Sequence, residues 1–260
     1  MKFGFNSFLA TPDKIGKEYF ADWKALGFDY LEPSLEAIDR LSDDAFEELA
    51  AAIKASGLPC ESAAEPFPVG TVFTASNADL DLVNEITDRA FKKAARLGIK
   101  SFVYGGICRL YDQSVPLKKA WDHNLIMLKN MADIAAPLGI RLLVEPVETF
   151  VVGNTILESV LMVEAVKHSA VPGLLVDLFH VDYQNELIEK IVQAKDYILE
   201  AHISTPKTRA FPTRDDRAVY EPFIEAISKA PRNESIVLEA KTSNLLADSK
   251  EAILAMRDWF

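Results

Sequence analysis

The chain has 260 residues, 49% hydrophobic and 26% charged, which supports a large buried core behind a solvated surface and leaves no disordered or collagen-like tract. A formal charge of −11 argues against a nucleic-acid partner, and only two cysteines, Cys60 and Cys108, without CxxC spacing, argue against a disulfide framework or a thiolate metal site. No apolar run is long enough to span a bilayer, and the opening MKFGFNSFLATPDK has too short an apolar stretch for a signal peptide, so the expectation is a cytoplasmic protein with no membrane partner.

In chain order, eight short runs read as strands: KFGFN (2–6), FDYLEP (28–33), CESAA (60–64), SFVYGG (101–106), RLLVEP (141–146), GLLVD (173–177), EAHIS (200–204) and SIVLEA (235–240). Helical patterns lie between them. In the stretch 79–98, Leu82, Ile86, Ala90, Ala94 and Leu97 recur at helical spacing and Gly98 follows as a stop. Trp121 and His123 read as residues of a later helix. The phrases ALGFDY, ASGLPC, RLGIKS and PLGIRL each close a helix on glycine and begin the next strand, the pattern a parallel sheet with right-handed crossovers requires. Eight such units predict an α/β fold, a single (β/α)8 TIM barrel spanning 1–260 as one domain. The alternative, an open doubly wound sheet, lacks a glycine-rich phosphate fingerprint after the first strand.

In such a barrel the working residues sit at the C-terminal ends of the strands. RLLVE ends on Glu145, GLLVD on Asp177, EAHIS carries His202 and SIVLE ends on Glu239. Three carboxylates converging around nothing would repel one another, so the set calls for a cation. Two Glu, one Asp and one His form a hard, oxygen-rich donor set suited to Mn²⁺ or Mg²⁺. Independent helix caps are the competing explanation, a poor one for Glu, which is not a favoured N-cap, and for a His inside its strand. For Asp177 with His180 three residues on, a cap beside a core histidine stays open as an alternative.

The stretches LLVEP, LLVDLFHVD, EAHIS and IVLEAK resemble the xylose isomerase-like TIM-barrel superfamily, in particular its sugar isomerase/epimerase branch with the ketose 3-epimerases. The resemblance follows strand order along the whole chain, with its specific motifs in the C-terminal half. It implies that Glu145, Asp177, His202 and Glu239 hold one divalent ion, commonly Mn²⁺, with Mg²⁺ or Co²⁺ as alternatives, and that Glu145 and Glu239 are also the catalytic acid/base pair. It further implies that His180, Glu148 and Arg209 contact the substrate. A Glu near a helix start also meets the helix dipole favourably, an alternative for Glu148. The stretch between Glu145 and Glu148 is shorter than in the epimerases, and the His202 to Arg209 spacing differs.

The function so implied is metal-dependent epimerisation or isomerisation of a keto-sugar or related polyol, by proton abstraction next to a carbonyl through an enediolate. A dehydratase or lyase using the same enolate is the nearest alternative. An endonuclease IV-like repair enzyme would need many more histidines than four, and a non-catalytic sugar-binding barrel would have little use for two opposed glutamates. A small-molecule sugar is the expected partner, and assembly into a homodimer or homotetramer is left open. Four smaller expectations complete the reading. Glu32 and Glu65 fall at or just after the second and third strand ends, where lining the pocket is open to them, but an exposed loop glutamate is the more frequent case. Tyr104-Gly105-Gly106 reads as a plain turn. Cys60 and Cys108 read as packing residues. Of the basic cluster Lys207, Arg209, Arg214 and Arg217, Arg209 alone is expected at the pocket, the others pairing with Asp215 and Asp216.

Overall fold

The computed structural model describes residues 1–65, 67, 78–147 and 151–260, so Glu148 lies outside the described residues. All eight expected strands are present: β1 (Lys2–Asn6), β2 (Tyr30–Glu32), β3 (Ser62–Ala63), β4 (Ser101–Tyr104), β5 (Arg141–Val144), β6 (Gly173–Asp177), β7 (Ile198–Ile203) and β8 (Ser235–Leu238). They pair in parallel in the order β2-β1-β8-β7-β6-β5-β4-β3. Bridges from Leu31 to Cys60 and from Ser34 to Ala64 bring β2 back to β3, with Leu31 N donating to Pro59 O at 2.8 Å, and the sheet closes into a barrel. The four helix-closing glycines, Gly27, Gly57, Gly98 and Gly139, all take a positive φ, the left-handed turn that lets a helix stop and a strand start. Among the described residues, no helix is long and apolar enough to cross a membrane.

Two-residue alternation sorts the strand side chains. Phe3, Phe5, Leu31, Phe102, Tyr104, Leu142, Val144, Leu174, Val176, Ile236 and Leu238 pack outward against the helices in one large core. A second, small cluster of Ala64, Val103, Leu143, Leu175 and Leu199 fills part of the barrel interior. Much of the remaining interior is polar, where Asn6, Tyr30, Glu32, Glu200 and His202 meet across the barrel.

The helix Leu80–Leu97 departs from the expected stripe. Its buried face is Val83, Thr87, Ala90, Phe91, Ala94 and Leu97, whereas Leu82 is 51% exposed and Ile86 only half-buried. The first turns are rotated by one residue. Thr87 donates its hydroxyl to Val83 O at 2.7 Å and so enters the core with no unpaired donor, a placement that counting apolar residues misses.

Between β6 and β7 the register slips by one residue: Leu174 pairs with Ile198, but Leu175 pairs with Glu200 and Asp177 with His202. The slip at Leu199 turns Glu200 and His202 onto the same interior face as Leu175 and Asp177. Gly173 lies beside it, where a Cβ would overlap the carbonyl of Tyr197. Backbone cannot yield as a flexible side chain can, so Gly173→Ala is expected to destabilise the protein by about 1–3 kcal/mol, read as a lower denaturant midpoint at unchanged slope. An unchanged midpoint would show that β6 and β7 need no such close approach.

Candidate active site

Glu145 follows β5 directly, Asp177 ends β6, His202 lies one residue before the end of β7, and Glu239 follows β8. One ligand-type atom from each of the four lies within 4.8 Å of the corresponding atoms of the others, and all four residues are buried. His202 Nδ1 is 3.3 Å from Glu239 Oε2 and 3.9 Å from Glu145 Oε1. Asp177 does two things at once. Its Oδ1 accepts from Phe179 N at 2.9 Å and caps the short helix Leu178–Tyr183, while Oδ2 turns to the cluster. The cap alternative and the cluster are therefore both realised, one on each carboxylate oxygen.

That short helix presents His180, 5% exposed, with Nε2 3.6 Å from Asp177 Oδ2 and 3.9 Å from Glu145 Oε1. From the loop after β7, the Arg209 guanidinium reaches Asp177 Oδ2 at 3.4 Å and donates to Glu239 Oε2, lying over the Phe179 ring at 4.6 Å. Arg209 takes φ +53°, held there by Arg209 N to Thr205 O (2.9 Å) and Lys241 N to Arg209 O (2.7 Å). Among the described residues, it is the one member of the basic cluster at the central cavity. Two of the others pair differently from expectation: Arg214 with Glu251 and Arg217 with Asp258. Asp216 instead accepts from Thr213 N and Oγ1 in a capping box, which occupies it locally.

The central cavity, about 290 Å³, opens over this cluster; Glu65, Gly105, His180 and Arg209 line it together with both catalytic candidates, Glu145 and Glu239. Phe8, Val103, Val147 and Val151 add apolar wall. Three expectations change here. Glu65 is buried, bound by Lys14 Nζ at 2.8 Å and Ser34 Oγ at 2.9 Å, so it belongs to the cavity wall and not to an exposed loop. Glu32 is fully buried inside the barrel. Gly105 is more than a turn residue, because a Cβ there would overlap Glu145 Oε2. Cys60 and Cys108 are both buried, and Cys108 also touches the cavity.

The two glutamates have different electrostatic surroundings. Burial lifts the Glu145 carboxyl to about 7, with Glu239 adding to the rise and His180 opposing it. Burial also raises Glu239, but the Arg209 guanidinium and the His202 ring outweigh it and hold that carboxyl well below the usual range. Asp177 is raised, chiefly by burial. His202 loses to burial but gains more from Glu32, Glu200 and Glu239, and ends well above an ordinary imidazole.

The donor set fits a divalent cation. Glu145 Oε1 is buried without a hydrogen-bond partner, and three carboxylates with one imidazole nitrogen match the preferences of Mn²⁺, Mg²⁺ or Zn²⁺. Two residues near the cluster were not singled out in the sequence as part of it: Glu200, two positions before His202 on the same strand face, and Asn6, which donates to Glu32 Oε1 at 2.8 Å and to Glu239 Oε1 at 3.5 Å. Strand parity with His202 is the signal that points to Glu200. Of the four histidines, only His180 and His202 stand here; His168, just past the helix Ile156–Val166, pairs with Asp133 of the helix Leu117–Ala135 on the outside of the barrel.

A family model described as xylose isomerase-like TIM barrel matches residues 20–260. The chain belongs to this family. No curated protein matches it in sequence. Among solved structures, the family's barrel is shared with a D-allulose 3-epimerase from a Methylomonas species in complex with D-allulose, at TM-score 0.81 and 16% identity over 100% of this chain and 97% of that one. It is shared equally with a D-psicose 3-epimerase from Clostridium cellulolyticum H10 with D-tagatose, at TM-score 0.78 and 20% identity over 96% and 90% of the two chains. The IOLI protein with a bound zinc atom aligns at TM-score 0.78 and 20% identity over 100% and 99%. At these identities the likeness is one of fold.

A cation bound by this cluster would compete with protons for the same atoms. Because Glu145 must release a proton held to about 7, and His202 must be neutral to coordinate, the affinity for Mn²⁺ should fall as the pH drops from about 8 to 6. Calorimetry in buffers of different ionisation enthalpy should show proton release on binding near pH 7. Binding that is independent of pH across this window would contradict the four-residue site.

Proposed function

We propose that the protein is a metal-dependent sugar epimerase or isomerase acting on a keto-sugar or related polyol, with Glu145, Asp177, His202 and Glu239 holding one divalent ion, Mn²⁺ by preference. The observation that carries this reading is the buried convergence of those four side chains, two of which, Glu145 and Glu239, line the central cavity. The solved epimerases, whose barrels superpose over nearly the whole chain, carry keto-sugars by their own descriptions, which supports the same substrate class. The cavity stands at the small end of ligand pockets, roughly 300–1,000 Å³, and suits a molecule of monosaccharide size.

A divalent ion bound there supplies a Lewis acid for the negative charge that develops on the substrate's carbonyl oxygen. The chain's own residues do the rest. Glu239, kept ionised by the Arg209 guanidinium, takes a proton from the carbon next to the carbonyl. Glu145, an ionised ligand at rest, takes up a proton from solvent and delivers it on the other side, while Glu239 returns its own to solvent; the roles reverse in the opposite direction. Return to the same carbon gives epimerisation and return to its neighbour gives isomerisation. His180 and Arg209 hold the substrate's hydroxyls at the cavity wall, and Glu148 joins them as a substrate contact. The apolar wall of Phe8, Val103 and Val147 restricts water at the reacting carbon.

Glu145→Gln or Glu239→Gln keeps the side-chain shape but cannot take up the proton, and should lower kcat by about 100-fold or more. The direct measurement is exchange: a keto-sugar incubated with enzyme and Mn²⁺ in D₂O should gain deuterium at the carbon next to its carbonyl. Turnover without exchange would overturn the enediolate route. Arg209 is the cluster member at the cavity, so Arg209→Ala should raise KM for a neutral keto-sugar by about 10-fold or more, while Arg214→Ala and Arg217→Ala leave it unchanged. A strong preference for a phosphorylated sugar, with all three arginines equally sensitive, would overturn the choice of a neutral substrate.

A further inference from the structure

The proposed ligand His202 has two ring nitrogens facing two different groups of carboxylates. Nδ1 faces Glu145 and Glu239 at the cavity floor. Nε2 points the other way, into the barrel, where Glu32 Oε1 lies at 3.2 Å and Glu200 Oε1 at 3.5 Å, both as ion-pair contacts short of an aligned hydrogen bond. Neither glutamate lines the central cavity. Glu32 ends β2 and Glu200 lies on β7, with β1 and β8 between them in the sheet, so both reach His202 through the barrel interior.

Each of these carboxylates is itself held. Glu32 receives Asn6 Nδ2 on Oε1 at 2.8 Å and Ser62 Oγ on Oε2 at 2.6 Å. Glu200 Oε2 receives Tyr30 Oη at 3.1 Å and Ser235 Oγ at 2.9 Å, which leaves Oε1 turned to the imidazole. Four donors from β1, β2, β3 and β8 thus fix two buried acceptors on one edge of one ring. An interior this polar is costly to fold unless its members do something an apolar layer cannot. What it can do is keep the proton of the neutral ring on Nε2, leaving the lone pair on Nδ1 directed at the cavity floor.

We infer that Glu32 and Glu200 are positioning residues that hold His202 in the tautomer and orientation in which Nδ1 serves as a metal ligand. The inference rests on the metal reading proposed above and extends it to residues that touch neither substrate nor metal. The register slip at Leu199 is what sets Glu200 and His202 together beside Leu175 and Asp177 on the interior face.

The test measures Mn²⁺ binding directly, by the loss of the free-ion electron paramagnetic resonance signal, and Zn²⁺ binding by competition with a chromophoric chelator. Glu32→Gln and Glu200→Gln keep the side-chain shape and remove the charge, and each should weaken metal affinity about 10- to 100-fold. At saturating Mn²⁺, kcat should stay within a few-fold of the parent, since neither residue meets the substrate. Glu234→Gln, on the surface, should bind as the parent does. Should a Gln variant fail to fold, Tyr30→Phe and Ser62→Ala leave both carboxylates in place, remove one orienting donor each, and should still lower affinity several-fold. Parent-like affinity in folded variants, even with a lowered melting temperature, would overturn the inference while leaving the four-residue site intact. Two ions per chain would overturn it by making Glu32 and Glu200 ligands, and no metal bound by the parent would overturn both this inference and the metal reading.

Discussion

Five carboxylates, Glu32, Glu145, Asp177, Glu200 and Glu239, are buried together around one imidazole, and the rest of the barrel is arranged so that this concentration of charge can exist. Removing a carboxylate from water costs several kcal/mol even after relaxation, so a group of this size must be neutralised, protonated or bound to a cation. Two of these outlets are visible. His202 and Arg209 bring positive charge against Glu32, Glu239 and Asp177. Glu145, Asp177 and Glu200 are all raised by burial, so protonation relieves part of the charge. A divalent ion at the cavity floor would meet what remains.

The strands divide this charge into two layers. Glu145 and Glu239 at the strand ends line the cavity, with Asp177 fully buried against them; Glu32 and Glu200 lie away from the cavity in the interior, and His202 spans the two groups with one nitrogen in each. Small side chains make the room. Gly4 lets the Tyr30 ring cross the interior, and Gly105 lets Glu145 approach the β4 end, since a Cβ at either would overlap its neighbour. Such close approaches explain why an acidic site can be built from short strands whose other faces are ordinary apolar core.

A barrel of this kind can fix opposing charges on rigid strands while the loops set what reaches them. In this protein the loop after β7 supplies Arg209 in a left-handed conformation, clamped by backbone hydrogen bonds and backed by Phe179. The strained residue is the one that reaches the site. The neighbouring Arg214 and Arg217 form exposed pairs on the outer surface, where ion pairs contribute little.

The sequence by itself determined the eight strands, the closing glycines and the family, because two-residue and 3.6-residue periods and left-handed caps are local properties that survive in the order of residues. It also determined the strand-end set of Glu145, Asp177, His202 and Glu239, since the barrel rule converts position along a strand into position at a site. Glu32 and Glu65 read as exposed glutamates because nothing near them in the chain pairs with them. Their partners, His202 and Asn6 for one, Lys14 and Ser34 for the other, come from other strands and loops and become neighbours only on closure. The helix stripe shifted for a similar reason, through a threonine whose burial depends on a hydrogen bond. Only the tertiary structure decided which atoms of His202 face which carboxylates, because the direction of a ring is set by packing and by a register slip at Leu199, and neither is written in the spacing of residues.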